Sequence, residues 1–508
     1  MLNIRAVRRV MGTMTPAAAA AIGVLLITII ALFTSPFIGM ADNGDYFRIL
    51  YSNGIYFNDP DYTSKYLGYF VKDYGIYQYY NENGATLFSS QSMFIKAALF
   101  LNHLFHDSQT FDIRYQAAIY MVLYTAAVYL IVEAVTWKTS RKRGYVLAGI
   151  AVFIFGDTGY TAYFNSFYSE SVVLIMSMFM FSAGLLLYRK RYNDYVMLAL
   201  FVTSSVILTT SKQQNAPVGI IAAVFGIGFW FIRNTKWYQT ITVIALTTML
   251  AAGIGTYVLI PKEFVNINKY HAMTRGVLMN SPDPEKALES FGIDKQYAIL
   301  NDSLYYDPYS TVDVNSKQLQ DNFYDKYGFG SILVYYAAHP DQAAKMLNIA
   351  AQDGFTIRPK AMGNYEQQTG KPFGAQTYFF SGYSLLKDKL APKTFGFVIL
   401  WVLVTVGLYS PSFVTAFRTR LYRKTTRLPL LLMMMGMGVS GIIVSIIGAG
   451  DADIAKHEFL FNITFDMVSF AIVGDLLGRR LWSNEKDEET ETKAKRLGGG
   501  GFAPTLDT

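Results

Sequence analysis

Two aspartates and an arginine follow directly on the first long apolar run of the chain. The run covers residues 17–40, and Asp42, Asp45 and Arg48 come next at steps of three. On a helical turn, side chains three apart share a face. Charged groups so close to hydrocarbon are costly and point to function. The alternative is an ordinary polar boundary whose acids cap a short helix. Such carboxylates could serve as a general base or bind a divalent cation.

Further polar stretches interrupt the other apolar runs. Short connections between spans seldom mix acids, lysine and histidine, and such groups need partners near the membrane. Asp157 before Thr-Gly also suits a plain turn, and Glu170 also suits the first turn of a helix. The stretches contain Asp157; Tyr168 and Glu170; Lys212, Gln213 and Gln214; and Asp451, Asp453, Lys456, His457 and Glu458.

Composition indicates a polytopic membrane protein. Of 508 residues, 52% are hydrophobic and 16% charged, with a mean hydropathy of +0.24. The chain has no cysteine, which excludes disulfides and thiolate metal sites. The net charge of +7 comes from clusters at the ends of spans, so it does not indicate nucleic acid.

Ten apolar runs have about the length that a bilayer requires. The fold class predicted from them is an α-helical polytopic membrane protein with about ten transmembrane helices and a small, mainly α outer domain. The runs cover residues 17–40, 115–136, 144–163, 170–188, 195–211, 216–233, 238–260, 394–411, 428–449 and 459–477.

The arrangement of basic residues orients these runs. Six short clusters of Lys and Arg fall on one side, which the positive-inside rule makes cytoplasmic. We therefore expect a multi-pass plasma-membrane protein with both termini in the cytoplasm. The polar stretches between spans then lie on the extracellular or periplasmic face, and so do the five histidines.

Four regions follow from this topology. Residues 1–260 form a membrane module with seven spans, and 261–393 form an outer helical domain. Residues 394–482 add three spans, and 483–508 form a disordered tail. Within the first region, residues 41–114 are a long outer loop in which 88–105 predict an amphipathic helix in the membrane interface. We call residues 41–114 the first outer segment and residues 261–393 the second.

This chemistry suits an amphiphilic substrate whose phosphate-linked head reaches the outer membrane surface. Fixed cations would bind the phosphate and stabilise it as a leaving group, and an aspartate would deprotonate an acceptor hydroxyl. The cations predicted to contact phosphate are Lys212, Lys456, His457 and Arg48.

The layout resembles the GT-C class of polytopic glycosyltransferases, and more narrowly the bacterial hexose transferases of surface-layer or cell-wall glycans (the WsfD-like group). The resemblance covers nearly the whole chain. The second outer segment lies between spans seven and eight rather than at the C-terminus, which argues against protein N-glycosylation. The stretches that carry the resemblance are residues 41–46, 165–170, 211–214, 281–285 and 450–457.

The resemblance implies an inverting transfer of a hexose from a polyprenyl-phosphate sugar to a cell-surface glycan. Asp45 or Asp42 would be the base, with Asp45 preferred, and Glu170 would support it. The same three carboxylates could hold Mg²⁺ or Mn²⁺. The residues expected to contact the acceptor or the sugar are Gln213, Gln214, Tyr168, Asp451 and Asp453.

Two other classes of function stay open. A transporter or flippase of lipid-linked glycan would place polar residues near the membrane midplane, often in internal repeats. The sequence has no convincing repeat, and the centres of its spans are almost free of charge. An outer-face acyltransferase or phosphotransferase on a lipid carrier would use similar residues, and only the donor distinguishes it.

Overall fold

Helices dominate the computed structural model, which describes residues 14–78, 88–260, 262–307, 309–451 and 458–481. The first ten are α1 (Pro16–Phe33), α2 (Phe47–Leu50), α3 (Gln91–Phe105), α4 (Arg114–Thr136), α5 (Arg141–Phe155), α6 (Thr158–Thr161), α7 (Glu170–Arg189), α8 (Asp194–Thr210), α9 (Ala216–Phe225) and α10 (Lys236–Val258). The others are α11 (Lys262–His271), α12 (Pro284–Glu289), α13 (Lys317–Asn322), α14 (Phe329–Ala338), α15 (Pro340–Asp353), α16 (Gly382–Leu390), α17 (Phe395–Arg418), α18 (Tyr422–Thr425), α19 (Arg427–Ala449) and α20 (Phe459–Leu477).

All ten predicted spans coincide with helices, but fewer than ten are long enough to cross a membrane alone. Within the described residues, eight helical stretches have the length and hydropathy of a span. A ninth is the bent pair Arg141–Phe155 and Thr158–Asn165, which turns by 47°. The predicted fifth span is α8, a shorter apolar helix of 17 residues. The chain is therefore a mostly helical polytopic membrane protein with eight or nine candidate spans.

Helix α7 lies at the centre of the bundle. Within its most apolar window 94% of residues are buried, against 22% for α10 and α17. A helix that is hydrophobic on all sides can be buried on all sides, whereas α10 and α17 leave apolar faces for lipid. The residues at both ends of α7 are thereby fixed by several neighbouring helices.

Basic clusters gather at one end of the bundle, where arginines pair with acids of neighbouring helices. Arg191 pairs with Glu133 at 2.7 Å, and Arg423 holds Asp194 through contacts of 2.8 and 2.9 Å. These residues stand at the ends of α4 and α7 and at the starts of α8 and α18. The grouping agrees with the charge pattern of the sequence; the side of the membrane that this end faces stays a prediction.

A small antiparallel sheet, which the sequence did not lead us to expect, lies in the first outer segment. Strand β1 (Ile55–Tyr56) pairs with β2 (Asp73–Ile76), and β2 pairs with β3 (Thr110–Asp112). In this register Asp73 is opposite Asp112. The first outer segment therefore contains a three-stranded sheet in addition to its helices.

Two helices predicted in the outer segments from local sequence patterns are present in the structure. Helix α3 occupies the stretch expected to be an amphipathic helix, and Phe100 and Leu104 are exposed on it. Helix α12 begins with proline, and the Asp283 carboxylate accepts the Lys286 N–H at 3.1 Å, as the N-cap pattern predicts.

Backbone hydrogen bonds join residues 38–41, which lead into the first outer segment, to the second outer segment. Gly39 donates to the Asn364 carbonyl, and Ala41 donates to the Gly363 carbonyl, both at 3.0 Å. Ile38 and Tyr365 form an antiparallel bridge beside them. The residues that lead out of α1 are therefore held by a part of the chain more than 300 positions away.

Candidate functional site

The Asp42 carboxylate organises the turn that follows α1. Its Oδ1 accepts the backbone N–H groups of Gly44, Asp45 and Tyr46 at 2.8, 3.0 and 3.2 Å. Its Oδ2 accepts the Tyr62 hydroxyl at 3.2 Å, and the residue is 3% exposed. Gly44 has a φ of +96°, which favours glycine at this point. Asp42 therefore shapes the turn, as an acid that caps a short helix does.

Asp45 points out of the same turn and contacts Arg48. The carboxylate and guanidinium are 3.2 Å apart at the i, i+3 spacing that the sequence predicts. Their side chains are 28% and 27% exposed, in contrast to the buried Asp42. Of the two aspartates, Asp45 is the one that a substrate could reach from solvent.

Tyr168 fastens the turn to the segment before α7. Its hydroxyl donates to the Ala41 carbonyl at 2.9 Å and accepts the Asn43 N–H at 2.8 Å. The residue is 3% exposed. These hydrogen bonds position the turn, and contact of Tyr168 with sugar stays a prediction.

Glu170 and Lys212 form an ion pair beside this segment. Their Oε1 and Nζ atoms are 3.2 Å apart, and the side chains are 3% and 23% exposed. Glu170 is the first residue of α7, where the helix dipole favours an acid. Within the described residues its Oε2 is buried without a hydrogen-bond partner.

The residues just before α3 are bonded to the connection after α8, which carries Lys212. The Ser89 hydroxyl donates to the Ser211 carbonyl at 2.7 Å, directly before Lys212. Gln213 and Gln214 follow in a 3₁₀ turn and are both half-buried. The first outer segment and the start of α9 thereby hold Lys212 in place, with both glutamines beside it.

Arg275 is a cation of the site that sequence reasoning missed. It lies on the π-helical turn Ala272–Leu278 and grips Asp451 through its Nε and Nη2 atoms, at 2.7 and 3.0 Å. It also pairs with Asp302. Single π-helical turns occur frequently at functional sites. Asp451, which we expected to contact sugar, is therefore part of an ion pair that ties α19 to the second outer segment.

His271 precedes this turn and brings it close to the first outer segment. Its Nε2 accepts the Tyr305 N–H at 2.9 Å. Burial, then the charge of Arg275, lowers the pKa of His271 to about 4, and Arg48 contributes in the same direction. The imidazole is therefore neutral near pH 7. The contribution of Arg48 indicates that the first outer segment lies within electrostatic range of His271.

The segment between α19 and α20 carries three predicted site residues, Asp453, Lys456 and His457, which lie outside the described residues. Glu458 follows them and is fully buried. Its carboxylate has no hydrogen-bond partner in the part of the chain that the structure describes. Burial, and then the charge of Asp353, raises the pKa of Glu458.

A metal site finds limited support. Among the described residues, no group of three or more His, Asp and Glu side chains is placed to hold a metal ion. Both oxygens of Asp42 accept hydrogen bonds from the protein, and one oxygen of Glu170 pairs with Lys212. A Mg²⁺ or Mn²⁺ ion on Asp42, Asp45 and Glu170 stays a prediction.

A second charged cluster lies deeper in the bundle. Lys387 of α16 reaches Asp466 of α20 at 2.6 Å, and their side chains are 4% and 0% exposed. The hydroxyls of Tyr160 and Tyr383 donate to the same carboxylate at 2.5 and 2.6 Å. We had expected span centres almost free of charge, and Asp466 is an exception near the middle of α20. The sequence signal for this cluster is an acid within an apolar run. The partner of Asp466, Lys387, is 79 positions away and has no such signal.

Comparisons with known proteins place the chain as follows. A family model described as the YfdI N-terminal transmembrane domain matches residues 3–496. No curated protein sequence matches the chain. A solved structure that matches the chain is the archaeal oligosaccharyltransferase AglB from Archaeoglobus fulgidus, in complex with an inhibitory peptide and a dolichol-phosphate. It is 12% identical over 97% of this chain, with a TM-score of 0.35. The chain spans about half of that protein's length (52%), and so distant a likeness carries no argument about activity.

Proposed function

The chain belongs to the YfdI N-terminal transmembrane domain family, and from its site we propose a membrane glycosyltransferase. It moves a hexose from a polyprenyl-phosphate sugar to a glycan acceptor, as GT-C enzymes of the WsfD-like group do. The observation that carries the proposal is a set of three ion pairs, Asp45–Arg48, Glu170–Lys212 and Arg275–Asp451. The Asp45 turn is bonded to Tyr168, two residues before Glu170, and the charge of Arg48 acts on His271, four residues before Arg275. Clustered ionisable groups from separate segments are candidates for an active site.

The reaction requires a base and a leaving-group site. The acceptor oxygen attacks the anomeric carbon on the face opposite the phosphate. The bond from that carbon to the phosphate oxygen breaks, and polyprenyl phosphate leaves with the electron pair. Asp45, the exposed member of the aspartate pair, takes the hydroxyl proton, while Asp42 holds its turn. Configuration at the sugar is inverted.

Cations around the Asp45 turn would stabilise the departing phosphate. Lys212 and Arg48 are each partly exposed beside a carboxylate, and Arg275 adds a third positive charge. Charge-assisted hydrogen bonds to phosphate oxygens are strong. Lys456 and His457 would extend this set. Gln213 and Gln214 stand next to Lys212, where their amides could bind sugar hydroxyls.

An apolar groove beside the site supports an amphiphilic donor. Residues of α14, α15 and the start of α17 enclose a cavity of about 400 Å³. Ile399 lines it and, with Leu400 and Leu403, belongs to the exposed apolar face of α17. Tyr336 lines its other side. The Tyr336 hydroxyl packs against Gly276, where an added β-carbon would lie 3.0 Å from it. A hydrocarbon chain could thus run from lipid towards the turn that carries Arg275.

The Lys387–Asp466 pair is the observation that favours a transporter. Ionisable residues inside membrane bundles often mark transport pathways. Here, however, the Asp466 carboxylate is satisfied by Lys387, Tyr160 and Tyr383. A pathway needs groups that exchange partners, so we rank transport second.

The proposal is tested with purified protein in lipid nanodiscs and a panel of labelled polyprenyl-phosphate hexoses. We expect label to pass to a surface glycan, or donor hydrolysis when no glycan is added. Asp45→Asn should lower the rates of both reactions by a factor of about 10² to 10⁴. The control Asp341→Asn changes an exposed acid at the start of α15 and should retain them. Absence of transfer and hydrolysis across the panel would reject the proposal, and transfer of phosphate or acyl label instead would assign the third class.

A further inference from the structure

A polar cleft lies in the outer segments, and no residue assigned a role above lines it. It encloses about 370 Å³, within the range of roughly 300–1,000 Å³ typical of ligand sites. Its walls come from residues 58–59, 65, 70–73 and 366–368. None of these residues belongs to a helix that spans the membrane, so the cleft is suited to a ligand that approaches from water.

Among the described residues, the cleft has no excess positive charge, since its two lysines face three carboxylates. Lys65 pairs with Asp59, and Lys72 pairs with Asp73 at 3.1 Å. Glu366 adds one further carboxylate, to which the Gln368 amide donates at 3.2 Å. Because each lysine already has an acid partner, the cleft does not offer the excess positive charge that a phosphate group requires.

The cleft instead presents hydrogen-bond donors and acceptors together. Amides of Asn58, Gln367 and Gln368 can both donate and accept, the carboxylates accept, and the lysines donate. A sugar hydroxyl also both donates and accepts. This pattern suits an uncharged polyhydroxylated ligand better than a lipid, a peptide terminus or an inorganic anion.

The wall of the cleft is attached directly to the Asp42 turn. Lys65 ends the 3₁₀ helix Tyr62–Lys65, whose first residue donates its hydroxyl to the Asp42 carboxylate. Leu67, two residues further on, donates its N–H to the Asp42 carbonyl at 2.8 Å. The wall of the cleft is therefore bonded, through Asp42, to the turn that carries Asp45.

We propose that this cleft binds the glycan acceptor, holding a short stretch of sugar residues so that the next hydroxyl reaches Asp45. The proposal rests on the glycosyltransferase function proposed above and adds the location of the acceptor. The hexose donor then approaches from the membrane side and the acceptor from the aqueous side, which keeps the two substrates in separate grooves.

The test compares cleft variants Glu366→Ala and Gln367→Ala with Gln352→Ala, which removes an exposed amide from α15. The probe is a set of repeat oligosaccharides released from the surface glycan that the protein modifies in cells. We expect the ratio of transfer to donor hydrolysis to fall about tenfold in the cleft variants, as loss of a hydrogen bond to a ligand implies. The control should keep the wild-type ratio.

Two outcomes separate this proposal from the function on which it rests. If the wild type transfers hexose and the cleft variants keep its ratio, the cleft is not the acceptor site although the enzyme assignment stands. If the wild type uses no donor, the enzyme assignment fails, and saturation-transfer NMR with the same oligosaccharides still decides about the cleft. Binding lost in both cleft variants supports it, and binding unchanged or absent in the wild type overturns it.

Discussion

The backbone N–H of Asp45 donates to the Asp42 carboxylate at 3.0 Å, so one aspartate determines where the other points. Two acids that look equivalent in the sequence thereby have different tasks. Asp42 is buried and bonded to its own turn, whereas Asp45 is partly exposed beside Arg48. The two roles can be separated by experiment.

Asp45→Asn should lower transfer by a factor of about 10² to 10⁴, because an amide cannot act as a general base. Asp42→Asn should keep most of the activity, since the Asn side-chain oxygen can still cap the turn. Asp42→Ala removes the cap and should cost about 0.5–2 kcal/mol of stability. Initial rates and thermal unfolding of the three variants in detergent provide the measurement. The reverse order, with Asp42→Asn inactive and Asp45→Asn active, would make Asp42 the base.

Lys212→Met should destabilise the protein and weaken donor binding. It leaves the buried Glu170 carboxylate without its cation, at a cost of about 1–3 kcal/mol. Adding Glu170→Gln should restore the unfolding temperature, because no uncompensated charge is left, while the KM for donor stays high. A double variant with the wild-type KM would instead show that the pair only supports the fold.

Arg275→Lys should raise the KM for donor about tenfold with little change in secondary structure. A lysine keeps the charge but cannot hold Asp451 through two atoms as the guanidinium does. The measurement is a titration of donor at fixed acceptor, with circular dichroism as a check on folding. Lys286→Ala, which alters a cation of α12 in the same outer segment, serves as the control. An equal rise in KM for the control would remove Arg275 from the site.

His271 should make the protein sensitive to acid. Its pKa of about 4 in the folded chain lies below the value of about 6.5 expected when unfolded. The unfolded chain therefore binds the proton first, and stability falls as pH decreases from about 6.5 towards 4. Arg275 and Arg48 oppose protonation, and Asp307 and Asp451 favour it.

The matching variant is His271→Gln, which does not titrate but can accept the Tyr305 N–H. The drop in unfolding temperature between about pH 7 and pH 5 should be smaller in this variant than in the wild type, because the pKa difference is gone. An identical drop in both proteins would show that other groups cause the acid sensitivity.

Lys387→Met should destabilise the protein by about 3–5 kcal/mol, because it leaves Asp466 charged and buried. The double variant Lys387→Met/Asp466→Asn should recover most of this loss and retain transfer activity. Thermal unfolding and the nanodisc assay measure both. Loss of activity in a stable double variant would give the pair a direct functional role and would strengthen the case for transport.

Hydropathy and local pattern predicted most of the scaffold but only part of the site. Spans follow from continuous apolar runs, and the Asp45–Arg48 contact follows from a spacing of three. Arg275 could not be found in this way, since nothing near it in the sequence distinguishes it from other surface arginines. Its importance comes from Asp451, which is 176 positions away. The position of Lys387 beside Asp466 likewise depends on tertiary packing, which a pattern in one stretch does not encode.

The hydrogen bonds between residues 38–41 and 363–365 also set an order of assembly during synthesis. The first outer segment is synthesised long before residues 363–365 have been made. Until then the N–H groups of Gly39 and Ala41 lack these carbonyl partners, and the Asp42 turn lacks one of its supports. Nascent chains that end before residue 363 should therefore be cut by protease in this segment. Competence for donor binding would arise late in biogenesis, only after both outer segments have been synthesised and joined.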